Sequence, residues 1–326
     1  MMIIKKQIML MAAMAAGMVL SSCEYKDLDE STSLGTVTLN FDTTKIEQVP
    51  TSMRAVFYPA DAMTLSNMTK GYTIFDCPRH IWPRTCELPA GRYYITSWNN
   101  DTEHVLYENM GDKDLLYATT FKYAARGMYD KPSVIDSIYN GQTVLDYPDY
   151  MVHASNDGQP IDVLPETNNV ITLFPDSMVI TVNFKLKDIK GLDWVKECRG
   201  SLNNVAGKRF ITPDNLTEDS VAVMFDCMFD EKENCVYGSF YVFGLYPSNS
   251  TIVLSHKMVM YFWMNGGQVF LPIDVTDIIN NADSTGDRVS IEITDLDINL
   301  KDYVSKKNTF DLDVEEWSDV EIDIGF

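Results

Sequence analysis

Short runs of β-branched, aromatic and aliphatic residues, each bounded by Gly, Pro, Asn or Asp, follow one another through the sequence after residue 33. The first run, residues 34–41, alternates: Val37, Leu39 and Phe41 share one face, while threonine and asparagine occupy the other. Such alternation is typical of a strand with one buried face. Only residues 276–282 indicate a short helix. Because a parallel α/β sheet needs long crossover helices, the sequence predicts an all-β protein of paired antiparallel sheets.

The strand pattern restarts after Pro175, and the restart repeats a short motif. Residues 37–41 read Val-Thr-Leu-Asn-Phe, and residues 180–184 read Ile-Thr-Val-Asn-Phe. A match of this length is a weak sign of duplication, and chance alternation in two strands is the alternative. About 300 residues remain after the N-terminal segment, enough for two domains of ordinary size. We therefore predict two tandem antiparallel β-sandwich domains, residues 34–175 and 176–326.

The N-terminal segment carries every part of a bacterial export signal. Lys5 and Lys6 precede an uncharged apolar stretch, residues 8–20, which leads into Leu-Ser-Ser-Cys at residues 20–23. A membrane span needs about 20 apolar residues, so this shorter stretch indicates a removed signal peptide, residues 1–22. A cysteine directly after the small residues matches a lipoprotein acceptor site. The predicted mature chain begins at Cys23, which carries acyl chains such as palmitate; an ordinary secretory signal with a coincidental cysteine is the alternative.

The charge of the chain argues against two classes of partner. The full sequence has 26 Lys and Arg against 47 Asp and Glu, a net charge of −21. Removing residues 1–22 takes away two lysines and no acid, which leaves 24 basic and 47 acidic residues, or −23. Nucleic acid and anionic lipid would repel such a chain, so we expect membrane contact through the lipid anchor only. The acidic tether, residues 23–33, resembles signals that send lipoproteins of some anaerobic Gram-negative bacteria to the surface of the outer membrane.

Beyond the anchor five cysteines remain, and their spacing does not match a zinc site. In an oxidising compartment two local pairs are candidate disulfides: Cys77 with Cys86, and Cys227 with Cys235. The second pair is expected to lie nearly opposite in a hairpin. Buried free thiols are the alternative for both pairs. Cys198 has no predicted partner.

No specific catalytic motif is present: the sequence contains no G-x-S-x-G, no H-E-x-x-H and no phosphate-binding glycine loop. We therefore predict no enzyme activity, no cofactor and no metal. Exposed aromatic side chains can stack on sugars, and Trp82 and Trp317 are the candidates for glycan contact. Trp98 and Trp263 lie in strand-like runs, so core packing is expected for both.

Several segments together resemble the fimbrillin-like and FimB-type fimbrial anchor lipoproteins of anaerobic Gram-negative (Bacteroidales-type) bacteria, in an uncharacterised branch of that group. Besides the lipoprotein motif they are residues 53–59 (MRAVFYP), 88–93 (LPAGRY), 98–101 (WNND), 238–244 (GSFYVFG) and the acidic end, 310–324. The resemblance implies two transthyretin-like sandwiches with Greek-key connections. It also implies a role in surface adhesive fibres, as an anchor or accessory subunit. The partners would be fimbrial subunits or other surface β-sandwich proteins.

Fibres of this group grow when a terminal strand of one subunit completes an open sheet of its neighbour. Val320, Ile322 and Ile324 alternate with Glu, Asp and Gly, so the C-terminus is a candidate strand-exchange segment. The last strand of the chain's own sandwich is the alternative. Polymerising subunits of the group are cut after an arginine near the first strand. Here the first arginine is Arg54, inside a predicted strand, so the resemblance favours an uncleaved anchor.

Two other functions stay open. A surface glycan-binding lipoprotein that passes carbohydrate to an outer-membrane transporter would use a platform of exposed aromatic side chains. A purely structural lipoprotein would have no partner strand.

Overall fold

The computed structural model describes residues 33–123, 141–156, 158–212, 215–217, 219–246, 255–282 and 288–307. These residues are mostly β-strand, which confirms the predicted all-β class. The helices in these ranges are short: Ala62–Ser66 (α1), Thr276–Asn280 (α2), Leu300–Lys307 (α3) and the 3-10 turns Arg79–Ile81 and Leu192–Trp194. Within the described ranges no helix has the length and apolar character that a bilayer crossing requires.

The strands up to the predicted boundary at residue 175 are Leu34–Phe41 (β1), Ser52–Pro59 (β2), Thr73–Pro78 (β3), Arg84–Pro89 (β4), Gly91–Asn99 (β5), Val105–Glu108 (β6), Tyr117–Thr120 (β7), Val144–Asp146 (β8), Val152–Ser155 (β9), Ile161–Val163 (β10) and Asn168–Leu173 (β11). The later strands are Asp176–Ser177 (β12), Ile180–Leu186 (β13), Ile189–Lys190 (β14), Val195–Ala206 (β15), Lys208–Phe210 (β16), Ser220–Asp226 (β17), Met228–Asp230 (β18), Cys235–Val242 (β19), Lys257–Met264 (β20), Gly267–Asp274 (β21), Arg288–Ile293 (β22) and Ile298–Asn299 (β23).

Two sheets enclose the first core. The order of one is β11-β1-β4, and that of the other is β12-β9-β5-β2-β3, with β10 also paired to β5. Val37 and Leu39 of β1 point into this core, where they meet Phe57 of β2 and Tyr93 and Ile95 of β5. The alternation predicted for residues 34–41 therefore places its apolar face against a second sheet. We call this unit the first sandwich.

The second sandwich consists of the sheets β18-β19-β13-β22 and β21-β20-β15-β17-β8. Its core includes Phe184, Phe225 and Phe240, and the rings of Phe225 and Phe240 stack with centroids 3.8 Å apart. Strand β8 precedes residue 175 but pairs in parallel with β17. The second sandwich thus includes a strand from before the predicted boundary, and the division at residue 175 stays a prediction.

The two copies of the repeated motif occupy matching places. β1 lies between a parallel neighbour, β11, and an antiparallel neighbour, β4. β13 likewise lies between a parallel neighbour, β22, and an antiparallel neighbour, β19. Val37 and Leu39 in one copy are buried, as are Val182 and Phe184 in the other. The motif therefore marks the central strand of a sheet in each sandwich.

A third apolar cluster joins the two sandwiches. Val56 and Trp98 from the first sandwich pack in one cluster with Met178, Ile211 and Phe243. The sheet β16-β7-β6 contributes to the same cluster through Ala118 of β7. Because these residues are buried, we treat the sandwiches as packed against each other along this junction.

Strand pairing corrects one of the two predicted cysteine pairs. Cys235 pairs with Asp230 across the β18–β19 hairpin. Cys227 therefore lies three positions beyond the partner of Cys235, or roughly 10 Å along the strand. Disulfides join Cα atoms that are less than about 7 Å apart. The prediction that Cys227 and Cys235 lie nearly opposite is wrong, because the turn pairs a later residue with Cys235.

The other predicted pair lies close together. Cys77 of β3 and Cys86 of β4 belong to different sheets and are both buried in the first core. A hydrogen bond with the Cys86 thiol, together with burial, raises the pKa of the Cys77 thiol. The arrangement is compatible with the Cys77–Cys86 disulfide, which stays a prediction.

Candidate functional site

The outer edge of β11 is the first candidate site. β11 ends the three-stranded sheet of the first sandwich and, among the described strands, pairs only with β1. The carbonyl oxygens of Thr167 and Leu173 accept bonds of 2.9 Å from the backbone N–H groups of Thr36 and Asp42. The odd-numbered residues of this segment therefore point their backbone N–H and C=O groups towards β1. The direction of these groups alternates from one residue to the next along a strand, so the even-numbered residues point theirs away from β1, towards the open edge.

Asn168, Val170 and Thr172 consequently present their backbone N–H and C=O groups on the open edge. Rows of such groups can pair with an added strand. Their side chains lie on the outer face of the sheet, where Val170 is 64% exposed. Leu34, Leu164 and Phe174 nearby are also each more than half exposed. An added strand at this edge would therefore gain apolar contacts as well as backbone hydrogen bonds.

A groove beside the second sandwich is the second candidate site. We call it the junction groove, because segments from before residue 175 line it together with β15 and β17. It has a volume of about 520 Å³, and the residues lining it include His104, Phe121, Tyr123, Tyr147, Arg199 and Asp226. These residues come from segments that are far apart in the sequence. The wall of the groove thus combines aromatic faces with charged and hydrogen-bonding groups.

Arg199 organises one wall of the groove. Its Nη1 donates a hydrogen bond of 2.8 Å to the hydroxyl of Tyr123. Its Nε lies 2.9 Å from Oε1 of Glu197 and 3.6 Å from Oδ1 of Asp226. Burial raises the pKa values of both the Tyr123 and the Tyr147 hydroxyls, so each remains a protonated donor at neutral pH. The wall therefore offers hydrogen-bond donors and acceptors fixed by neighbouring charges.

His104 lies on the other wall and is held by Asp149. The backbone N–H groups of Glu103 and His104 each donate a 2.7 Å bond to Oδ2 of Asp149, and Nδ1 of His104 lies 3.1 Å from Oδ1. The hydrogen bond with Asp149 raises the pKa of His104. The imidazole also stacks on Tyr147 with centroids 6.2 Å apart. In the described part of the chain no group of three or more His, Cys, Asp or Glu side chains could hold a metal ion.

Trp82, the predicted glycan contact within the described residues, does not line this groove. The Trp82 indole N–H donates a 2.7 Å bond to the carbonyl oxygen of Cys77, and its ring packs 4.9 Å from the Phe41 ring. Trp98 is buried, as predicted, but Trp263 is 41% exposed, so the expectation of core packing was wrong for Trp263. Several predicted residues lie outside the described residues: Cys23, Trp317, Val320, Ile322 and Ile324.

Sequence reasoning missed both candidate sites. The pattern of residues 170–174 predicts a strand where β11 lies, but no local signal shows that its neighbour on one side is absent. The groove residues are separated by up to about 120 positions, and only the fold brings them together. No local pattern around Tyr123 or Tyr147 marks these two residues as neighbours.

Comparisons with known proteins show which family the chain belongs to. A family model matches residues 22–226, which is more than half of the chain. The chain belongs to the family described as "Domain of unknown function (DUF5119)". A comparison with curated protein sequences gives no match.

Solved structures give the relatives in fold. The chain is similar to the crystal structure of "a putative adhesin from Bacteroides ovatus ATCC 8483", with 18% identity, a TM-score of 0.58, and coverage of 86% of this chain and 97% of that one. A second such structure from Bacteroides ovatus has 7% identity, a TM-score of 0.50, and coverage of 84% and 92%. The fimbrial anchor protein Mfa2 from Porphyromonas gingivalis has 9% identity, a TM-score of 0.45, and coverage of 79% and 90%. The predicted resemblance is confirmed at the level of the fold.

Proposed function

We propose that this protein is a non-enzymatic surface lipoprotein that acts as an anchor or accessory subunit of a fimbria-like adhesive fibre. The observation that carries the proposal is the fold, which is shared over 86% of this chain and 97% of a Bacteroides ovatus adhesin-type structure. The chain therefore contains nearly the whole of that architecture. A fold alone does not define a function, so the proposal also depends on the open edge of β11.

Strand addition at β11 is the proposed mode of binding. Asn168, Val170 and Thr172 offer three N–H and three C=O groups to an incoming strand. Each backbone hydrogen bond contributes about 1 kcal/mol net, and contacts with Val170 and Phe174 add apolar burial. Backbone pairing supplies affinity, and alternate side chains select the register of the partner. The partner is therefore expected to be an extended segment of another β-sandwich subunit.

Lipidation at Cys23 is the proposed attachment to the outer membrane. The segment between Cys23 and the first strand at Leu34 has 10 residues, which reach at most roughly 35 Å when fully extended. Acyl chains contribute about 0.8 kcal/mol for each buried CH₂ group. Replacing Cys23 by Ala should move the protein from the membrane fraction to the soluble fraction without unfolding it. Retention of the variant in the membrane would contradict the anchor.

The binding mode is tested by chemical crosslinking on intact cells and mass spectrometry of the products. We expect crosslinks from another sandwich subunit to residues flanking β11. Thr172→Pro removes an outward N–H group and should reduce these products at least tenfold. Ser290→Pro is the matched control, since it removes an outward N–H group from the open edge of β22. Unchanged crosslinking in Thr172→Pro would contradict strand addition at β11.

The junction groove supports a second candidate function, the binding of a surface glycan that is passed to an outer-membrane transporter. Aromatic faces beside Arg199 and Asp226 suit the apolar faces and hydroxyl groups of a sugar. Affinity electrophoresis of the purified protein in gels containing soluble polysaccharides tests this function. Retardation that is lost in Tyr147→Ala, together with crosslinks to a transporter, would favour glycan capture over the fibre.

A further inference from the structure

We propose that Cys198 and Cys227 form a disulfide bond after the protein has been exported. Cys198 lies in β15, and Cys227 directly follows β17. The antiparallel pairing of these strands sets Arg199 opposite Asp226. One step further along, Cys198 is opposite Cys227. The inference rests on the export that the proposed function requires, because a disulfide persists in an oxidising compartment.

The distance between the two residues suits the bond. Directly opposed residues of an antiparallel pair have Cα atoms about 4.5–5.5 Å apart, and disulfides accept about 4.4–6.8 Å. Cys198 is buried, and Cys227 packs against the same core. Burial and a hydrogen bond with Cys198 raise the pKa of the Cys227 thiol. The thiols are therefore already in contact, and the bond needs no large backbone movement.

Cys235, the other cysteine close to Cys227 in the sequence, does not lie beside it. Cys235 lies at the far end of the β18–β19 hairpin, where its Sγ is 3.9 Å from Oε2 of Glu233. Cys77 and Cys86 lie in the first core, away from this pair. Cys198 thus has one cysteine beside it, and local spacing in the sequence gave no sign of that partner.

Bond formation is an oxidation that needs an acceptor. The two thiols lose two protons and two electrons as the S–S bond forms, and the disulfide of an envelope thiol oxidoreductase accepts them and becomes a dithiol. The bond would tie β15 to β17 next to Arg199 and Asp226, which line the junction groove. We therefore expect it to fix the wall of the groove as well as the second core.

Non-reducing peptide mapping of the full-length protein purified from cell envelopes tests the inference. Free thiols are first blocked with N-ethylmaleimide under denaturing conditions. Trypsin then separates the three cysteines, because it cleaves at Lys196, Arg199, Arg209 and Lys232. We expect one linked species that contains Cys198 and Cys227, and a maleimide adduct on Cys235. Reduction should lower Tm by roughly 5–10 °C.

Variants and the N-terminal peptide complete the test. Cys235→Ser should keep the linked species, whereas Cys198→Ser should leave Cys227 open to maleimide and make the effect of reduction on Tm smaller than in the wild type. The mass of the N-terminal peptide reports whether residues 1–22 were removed. A processed protein in which Cys198 and Cys227 both react with maleimide would overturn the disulfide alone. An unprocessed protein would overturn the export on which the proposed function depends.

Discussion

β11 and β22 occupy equivalent places in the two sandwiches, each as the parallel neighbour of a central strand and each at the end of its sheet. Their exposed positions differ. β22 alternates buried Val289, Ile291 and Ile293 with Arg288, Ser290 and Glu292, whereas β11 exposes Val170. Charged residues on an edge strand oppose pairing with another chain. The side chains of the outer face, and not the topology, therefore distinguish β22 from β11, the edge at which we propose that a partner strand binds.

The ends of β22 are also held within the molecule. Arg288 Nη2 lies 2.8 Å from the carboxylate of Glu47 in the first sandwich, and Lys187 Nζ lies 2.7 Å from Oε1 of Glu292. Both ion pairs are exposed, so solvent screens them and each contributes little to stability. Among the ion pairs described for this chain, none involves a residue of β11. The comparison therefore predicts that disturbing the two edges will have different consequences.

The largest expected effect tests the direction of the peptide groups in β11. Ile171→Pro removes an N–H group that bonds to β1, so it should lower the free energy of unfolding by about 3 kcal/mol or more. Thr172→Pro removes an outward N–H group and should cost about 1 kcal/mol or less. Urea denaturation of both variants provides the measurement. Equal losses would show that the edge described for β11 is not the open one.

A second prediction compares close contacts in the two sandwiches. A Cβ atom on Gly35 of β1 would lie 2.3 Å from the carbonyl oxygen of Leu164, and one on Gly200 of β15 would lie 2.1 Å from Cε2 of Phe225. Overpacking of this kind typically costs about 1–3 kcal/mol. Gly35→Ala and Gly200→Ala should both lower the free energy of unfolding by this amount.

The two glycine variants should differ in partner binding. Displacing Leu164 disturbs the neighbourhood of the β11 edge, so Gly35→Ala should also reduce crosslinking to the partner subunit, whereas Gly200→Ala should not. Gly71→Ala is the control for both, because a Cβ atom there would meet nothing within 4 Å. Loss of crosslinking in Gly200→Ala at a temperature where it is folded would weaken the assignment of the site to the first sandwich.

A third prediction changes the side chains on the two edges without altering the backbone. Val170→Lys places on β11 the kind of residue that protects an edge strand. It should reduce partner crosslinking about tenfold, which corresponds to about 1.4 kcal/mol, while changing the free energy of unfolding by less than about 0.5 kcal/mol. Ser290→Lys on β22 should leave crosslinking unchanged. The reverse pattern would assign binding to the second sandwich.

The smallest expected effect concerns the junction. Asp149 raises the pKa of His104, so the His104–Asp149 pair stabilises the fold fully below the unfolded pKa of about 6.5 and loses this contribution as pH rises through the raised pKa. The His104 side chain is 47% exposed, which limits the effect to about 0.3 kcal/mol. The stability difference between wild type and His104→Gln should be larger at pH 5.5 than at pH 8.5. A difference that grows with pH would contradict the pairing.

The local sequence pattern was sufficient to predict strands that have one face in the core and the other face accessible to solvent. The alternation at residues 34–41 matches β1 in both bounds because one face meets the core and the other remains accessible. Trp263 was misplaced because β20 carries a continuous apolar run, which does not indicate the face of each side chain. In the structure Phe262 and Met264 face the second core, whereas Trp263 lies on the opposite face of β20 and is partly exposed.

Pairing between distant strands could not be obtained from the sequence. The parallel pairs β1–β11 and β13–β22 join segments more than 100 residues apart, and short-range periodicity carries no information about them. For the same reason the sequence did not indicate that Cys198 lies beside Cys227, or that the groove residues lie together. The prediction for Cys227 and Cys235 failed because the turn at residues 231–234 pairs Asp230, and not Cys227, with Cys235. Sequence reasoning thus predicted the fold class and the alternating strand at residues 34–41, while the sites required the fold.

The most direct test of the central claim replaces Thr172 or Ser290 by a photoreactive phenylalanine analogue in cells that assemble the fibre. Illumination followed by mass spectrometry identifies the protein joined at each position. We expect an adduct between position 172 and an extended segment of another β-sandwich subunit, and no such adduct from position 290. Adducts from position 290 alone, or none from position 172 on cells that carry both the lipoprotein and the fibre, would contradict strand addition at β11.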